Sequence, residues 1–271
     1  MPTEISPLAQ VDPQAIIGED VTIGPFCVVA PHVQIGDRTV PQTHDTIHPY
    51  VTIGTDNRFH PTAVIGGDPQ DLSFKGSDTR LEIGNGNTFR EGVTVGRGAE
   101  KEDGVTRIGN NNLLMANSHV AHNCCIENNV ILVNGVLLGG HVHVQDGVII
   151  SGNSVVHHFS TLGTLCFVGG LSRVPHDVPP YMMWVGGDDS RVRTINIVGM
   201  QRRGISTETI RIIKQIQRLV YRDCKQIDFV AETLHEQLGE VWPAEVTRLM
   251  DFLGHRGGGR QGRRREAPKA A

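Results

Sequence analysis

A parallel β-helix followed by a small α-helical domain is the architecture that this 271-residue sequence predicts. Three observations point to it. Aliphatic residues recur at every sixth position from Ile5 to Val174 with few interruptions. Gly accounts for 32 residues, about one in eight against roughly 7% on average, while aromatics reach only 5%. Beyond Pro179-Pro180-Tyr181 the hydrophobic period changes to that of a helix.

The six-residue series runs Ile5, Val11, Ile17, Ile23, Val29, Ile35, Pro41, Ile47, Ile53, Phe59, Ile65 and keeps its phase at Ile83, Phe89 and Val95. After one slip it resumes at Ile108, and all twelve positions from there to Val174 are aliphatic. The residue after each is often Gly, as at Gly18, Gly24, Gly36, Gly54 and Gly66. This is neither the 3.6-residue period of a helix nor the alternation of a half-buried strand. It suits short strands separated by tight bends, three hexads closing one triangular coil. The aliphatic residue points inward, and Gly, Asn or Asp takes the bends where positive φ is cheap. Coils then hydrogen-bond to one another about 4.8 Å apart, each burying its face only against its neighbours. Known hexapeptide coils are left-handed, an exception to the right-handed crossover rule. The expected fold is thus mainly β, a left-handed parallel β-helix over residues 1–181.

Two polar segments break the phase, at about 67–80 and 96–107, and read as loops extruded from coil corners. Loops on a rigid scaffold often carry function. A helical domain is expected over 182–253. Its first helix has Ser206 as N-cap with Ile205 and Ile210 as a hydrophobic staple, and Ile210, Ile213, Gln217 and Val220 on one face. A second helix is expected from about Ile227 to Leu238 with Gly239 as its stop, and a third from Pro243 with Val246, Leu249 and Leu253 inward. Residues 254–271 read as a disordered basic tail carrying a charge of +5, which leaves the body at −9 within the net −4. An acidic body is a poor platform for nucleic acid. No uncharged apolar run is long enough to span a membrane and the N-terminus has no signal-peptide pattern, so a cytoplasmic protein without stable membrane insertion is expected. Five cysteines without a CxxC read as reduced thiols and say nothing of metal.

The chemistry lies in the histidines, eleven of 13 preceding Pro179. His119, His122, His141, His143, His157 and His158 are the densest group. Residues 18 apart stack on adjacent coils, so His122, Gly140 and His158 share one column, with His141 one residue off it. Such a cluster suits zinc held by three imidazoles, as in hexapeptide-repeat carbonic anhydrases, but HVAH does not match their wider HxxxxH pair. It also suits a lone His acting as general base on a hydroxyl, with a backbone N–H stabilising an oxyanion. Gly140 would let a carbonyl approach its N–H closely, which favours acyl transfer.

From about residue 11 to 253 the chain resembles the UDP-N-acetylglucosamine O-acyltransferases that open lipid A biosynthesis. The resemblance is carried in order by IGPFCVVAPHVQIG, QDLSFKG, TRLEIG, NNLLMANSHVAHNC, GGHVHVQD, VVHHF, DVPPY and NIVGMQRRG. It implies a homotrimer with active sites between subunits, and transfer of a 3-hydroxyacyl group from acyl carrier protein to the sugar 3-hydroxyl, with no cofactor. It further implies His122 as general base and Gly140 as oxyanion donor. Asp71 and His119 match sugar contacts with Gln70 beside them, and His141 and His157 match residues lining the cleft. Asn196, Arg202 and Arg203 match a nucleotide-binding stretch, where guanidinium forks suit a diphosphate. Gly170 matches a position that sets the length of the acyl groove.

Three residues depart from the family pattern. Asn123 stands where Asp commonly follows the catalytic His, so Asn123→Asp is expected to preserve or raise the rate. Ser73 replaces a loop Lys, with Lys75 expected to reach the same space. His158 replaces a Gln and would meet phosphate when protonated. The rival readings are a related N-acyltransferase, which carries an additional uridine-binding domain, a zinc carbonic anhydrase, and a non-catalytic trimeric scaffold.

Overall fold

The computed structural model describes residues 2–255 and 262–266. Each hexad contributes a short strand, and strands 18 residues apart pair in parallel, as Gln34–Ile35 does with Thr52–Ile53 and Leu137–Leu138 with Val155–Val156. Three stacks form the faces of a triangular prism. The first face runs from Gln10–Val11 to Arg173–Val174, the second from Ile16–Ile17 to Thr161–Leu162, and the third from Val40–Pro41 to Phe167–Val168. From Ile23 onward the sixth-position residue of each hexad points inward, so Ile47, Ile65, Leu114, Ile126, Leu132, Leu138 and Ile150 are essentially inaccessible. Burying each such side chain contributes about 1.5–3 kcal/mol. Phe59 and Phe89 stack inside the prism with ring centroids 4.6 Å apart.

We number the corners from the faces they join: first to second face, second to third, and third to first. Every sixth residue turns a corner with positive φ, from Asn117 through Asn123, Asn129, Gly135 and His141 to Leu171. Small and Asx residues were expected here, yet His141, Phe159, Leu165 and Leu171 adopt the same conformation. The left-handed turn lets a corner N–H reach a carbonyl of the preceding coil, as where His141 donates to His122 O, Phe159 to Gly140 O and Leu165 to Asp146 O, at 2.9–3.0 Å. A hydrogen bond of about 1 kcal/mol offsets the strain of similar size at a bulky residue. At the second corner a buried amide ladder adds to this. Asn57 Oδ1 accepts from Asn87 N–H, Asn87 Oδ1 from Asn112 N–H, and Asn112 Oδ1 from Val130 N–H.

The two insertions leave the register intact. Ile65 pairs with Val95 and Val95 with Val120, separations of 30 and 25 residues in place of 18. The extruded loops are 68–79 and 97–104, shorter than expected, because Gly67, Arg80, Gly96 and Val105–Arg107 are taken into strands. Both loops leave the first corner, in successive coils.

Tyr181 is fully buried where the repeat ends, and the chain does not turn helical at once. A hairpin of Met182–Val185 and Arg191–Ile195 extends the third face. Helices α1 (Ile197–Arg202), α2 (Thr207–Tyr221), α3 (Ile227–Leu238) and α4 (Ala244–Gly254) follow. The hairpin and α1 escape a period-based reading because each is too short to show one. Ser206 Oγ accepts from Thr209 N–H at 3.0 Å, Gly239 takes φ 74°, and Val246, Leu249 and Leu253 are buried, as expected. Among the described residues no helix is long and apolar enough to cross a membrane.

The basic tail needs correction. Gly254 still belongs to α4, and Gly262–Glu266 is folded back onto the first corner with Arg263 only 3% exposed. Buried backbone and carboxylate acceptors on the prism, rather than solvent, satisfy these arginines. Positions 256–261 and 267–271 of the tail lie outside the described residues.

Candidate active site

The first corner gathers most of the expected residues into one vertical strip. His122 opens it, its side chain 12% exposed, and its imidazole lies over Gly140. A Cβ at Gly140 would come within 2.7 Å of the His122 ring, so Gly is required by close approach. No acceptor among the described residues takes the Gly140 N–H, whereas its neighbours Gly139 and His141 both donate to carbonyls. One coil on, the His141 ring meets His122 edge-on at 5.2 Å and stacks on Phe159 at 4.3 Å. His158 and His157 follow with rings 3.8 Å apart. Burial first, then the neighbouring His157, depresses the His158 pKa, which disfavours the protonated state expected of it.

Asn123 fixes the state of His122. Its Oδ1 accepts from Ala99 N–H at 2.8 Å and lies 2.9 Å from His122 Nδ1. Its Nδ2 donates to Lys101 O at 2.8 Å and to Ala99 O at 3.4 Å. The main chain of the 97–104 loop therefore sets the amide's orientation. With Oδ1 facing the ring, Nδ1 must carry the proton and Nε2 presents its lone pair outward. A carboxylate at position 123 would turn an oxygen onto two carbonyl oxygens. These contacts argue against the expectation that Asp would serve as well.

Nε2 of His122 lies 3.9 Å from Asp71 Oδ2, carried by the 68–79 loop. The Lys101 ammonium 2.7 Å from Asp71, together with Ser73 N–H and Oγ–H, holds this carboxyl well below the usual range. Asp71 is thus an anion at neutral pH. The ammonium partner is Lys101 from the other loop, not Lys75, whose main-chain N–H binds Glu100. Sequence reasoning missed Lys101 because non-periodic loops do not reveal which side chains meet. His119 completes the lower end, its Nδ1 2.7 Å from Thr94 Oγ1 and its pKa depressed by burial and then by His122. Gln70 is exposed beside Asp71.

The nucleotide-binding candidates lie elsewhere in the chain's own fold. Asn196 caps α1, accepting from Gly199 N–H and donating to Leu165 O at 2.9 Å. Arg202 and Arg203 line a cavity of about 550 Å³ at the second corner, with Ile131, Ile149 and Phe167 as its apolar wall. Arg203 reaches over Gly147 there. The face-two strands separate this cavity from His122. Gly170 occupies the third corner, across the first face from His122, and the exposed side chains of Leu137 and Val155 lie on that face. No group of three or more His, Cys, Asp or Glu side chains among the described residues converges as a metal site.

Residues 177–262 match the family model described as Udp N-acetylglucosamine O-acyltransferase, domain 2, and residues 14–40 and 106–140 match the bacterial transferase hexapeptide repeats. The acyl-[acyl-carrier-protein]–UDP-N-acetylglucosamine O-acyltransferase of Alkalilimnicola ehrlichii is 49% identical over 251 residues, 93% of this chain and 96% of that protein. The Synechocystis protein of the same name is 51% identical over a shorter stretch of 157 residues, 58% of this chain and 56% of that one. The crystal structure of a UDP-N-acetylglucosamine acyltransferase from Bacteroides fragilis matches with a TM-score of 0.89 at 36% identity, over 98% of this chain and all of the other. That from Francisella novicida gives 0.87 at 36%, over 97% and 93%. The hexads therefore wind a left-handed parallel β-helix, as the repeat predicts. The chain belongs to the acyl-[acyl-carrier-protein]–UDP-N-acetylglucosamine O-acyltransferase family.

Proposed function

We infer that this protein transfers a 3-hydroxyacyl group from acyl carrier protein to the 3-hydroxyl of UDP-N-acetylglucosamine, the opening step of lipid A biosynthesis. The observation that carries the chemistry is the pairing of an outward-facing Nε2 on His122 with the unclaimed N–H of Gly140 beneath the same ring. Nε2 takes the proton of the sugar hydroxyl as its oxygen attacks the thioester carbonyl. The developing oxyanion accepts from Gly140 N–H, a donor aimed in advance at the charge that forms. Collapse breaks the C–S bond, and the departing thiolate takes the proton back from His122. Asp71 and His119 orient the sugar, with Gln70 at the rim, and His141 and His157 line the cleft wall. The apolar surface of Leu137 and Val155 leads the acyl chain along the first face toward Gly170, where no side chain blocks it.

A homotrimer accounts for the remaining residues. Asn196, Arg202 and Arg203 sit at the second corner and His122 at the first, so one substrate cannot span both within a single chain. Turning the second face toward a three-fold axis brings the second corner of one copy against the first corner of the next. The guanidinium forks then hold the diphosphate of a sugar whose hydroxyl lies at the neighbour's His122. Incubating the protein with UDP-N-acetylglucosamine and 3-hydroxyacyl carrier proteins of several chain lengths, with product followed by mass, tests the reading. Transfer to the sugar nucleotide is expected. No acylated product at any length would overturn it.

A further inference from the structure

Gly262–Glu266 runs along the first corner beside the strip that holds His122. The Arg263 guanidinium donates to Pro175 O at 2.7 Å and pairs with Glu266. Asp177 donates its N–H to Gly262 O and accepts from Arg264 N–H at 3.0 Å, while the Arg264 guanidinium lies 4.5 Å over the Phe252 ring of α4. These contacts place Arg265 between two parts of the site. Its Nη1 donates to His141 O at 2.9 Å, and its Nη2 lies 3.3 Å from Glu102 Oε1. The other Glu102 oxygen is 3.1 Å from His141 Nδ1, within ion-pair range but off the line of a hydrogen bond. Glu102 belongs to the 97–104 loop, which also supplies the Lys101 carbonyl to Asn123 and the Lys101 ammonium to Asp71.

We propose that Arg265 is a positioning residue for acyl transfer, clasping the 97–104 loop to the His141 corner so that Asn123 and Asp71 stay aligned on His122. The proposal rests on the function inferred above. The clasp also acts on charge. His141 faces Glu102, His122, Arg265 and His158, with Phe159 against its ring. Burial depresses its pKa, Glu102 opposes that shift, and His122 and Arg265 reinforce it. Without the guanidinium, Glu102 would favour an imidazolium 5.2 Å from the His122 ring.

The test uses the full chain carrying Arg265→Ala, Arg265→Lys, or Arg265→Ala combined with Glu102→Gln. Turnover and KM for UDP-N-acetylglucosamine are measured beside an NMR titration of the His141 imidazole. Arg265→Ala is expected to lower kcat roughly fivefold to tenfold, with KM changed less than about twofold. Lys should restore part of the loss, and adding Glu102→Gln should cost little more because both act through one contact. His141 should titrate at higher pH in Arg265→Ala than in the parent. An unchanged kcat, a loss confined to KM, or an unmoved His141 titration would overturn the clasp. A parent chain without transferase activity would instead overturn the function on which it rests.

Discussion

The first and second corners follow the same backbone path, repeat the same positive-φ turn, and put their polar atoms to opposite uses. At the second corner the side chains are spent on the scaffold. Asn57, Asn87 and Asn112 cap successive coils from within, and Asn110, Asn128 and Asp146 do the same nearer the surface. At the first corner the corresponding groups are His122, Gly140, His141 and His158, and much of their hydrogen-bonding capacity is left over. Among the described residues the Gly140 N–H has no acceptor, and neither ring nitrogen of His141 makes a hydrogen bond. A repeat that satisfies its own polar groups at one corner can leave them unsatisfied at another, where substrate completes the set.

The sharpest way to break this contrast is His122→Ala. It should lower turnover by roughly a thousandfold while thermal unfolding and assembly stay as in the parent. Turnover near that of the parent would remove His122 from the mechanism. Asn123→Asp comes next. Setting a carboxylate oxygen against the carbonyls of Lys101 and Ala99 should cost about 1–3 kcal/mol in the alignment of His122, a loss in kcat of about fivefold to a hundredfold. A rate at or above the parent's would show that the loop adjusts to the charge.

The second corner should respond in reverse. Asn87→Ala leaves the Asn112 N–H without its acceptor and the Gly109 carbonyl without its donor, so unfolding should become easier by about 1–3 kcal/mol, read by denaturant titration. Its kcat should hold; a large fall in kcat would mean that the ladder serves the reaction as well. The smallest effect concerns pH. Burial opposes the charge on His143, but Cys125 and a Glu127 carboxylate 2.7 Å away outweigh it and raise the pKa to about 9. A raised pKa gives stability that is full below the ordinary histidine value and is lost as pH rises through about 9. Melting temperature should therefore decline between about pH 6.5 and 9, by the equivalent of about 1 kcal/mol, and the decline should shrink in Glu127→Gln, where only Cys125 still favours the imidazolium. An identical decline in that variant would assign it to other groups.

The prism was legible because the hexad is periodic, and periodic spacing converts directly into position. Spacings of 18 are enough to set Gly140 over His122 and His158 beyond it. The helices were legible through Ser206, Gly239 and their apolar stripes. What escaped depends on paths without a period. The salt bridge from Lys101 to Asp71 joins two loops, and the orientation of Asn123 is dictated by loop carbonyls. The docking of Arg263–Arg265 follows from acceptors that their Gly- and Arg-rich surroundings do not advertise. Asn196, Arg202 and Arg203 carried a chemical signal in their residue types, but nothing in their spacing told which corner they would occupy.

The insertions that preserve strand register have one more consequence. Along the first edge, order in the chain is also height, from Asp71 through His122 and Gly140 to His158. Two recognition points on that edge can move apart only by a whole coil, so changes in what the protein accepts must come from exchanging side chains or resizing loops. The scaffold behaves as a staircase with fixed treads, on which fittings can be replaced while the rise stays constant.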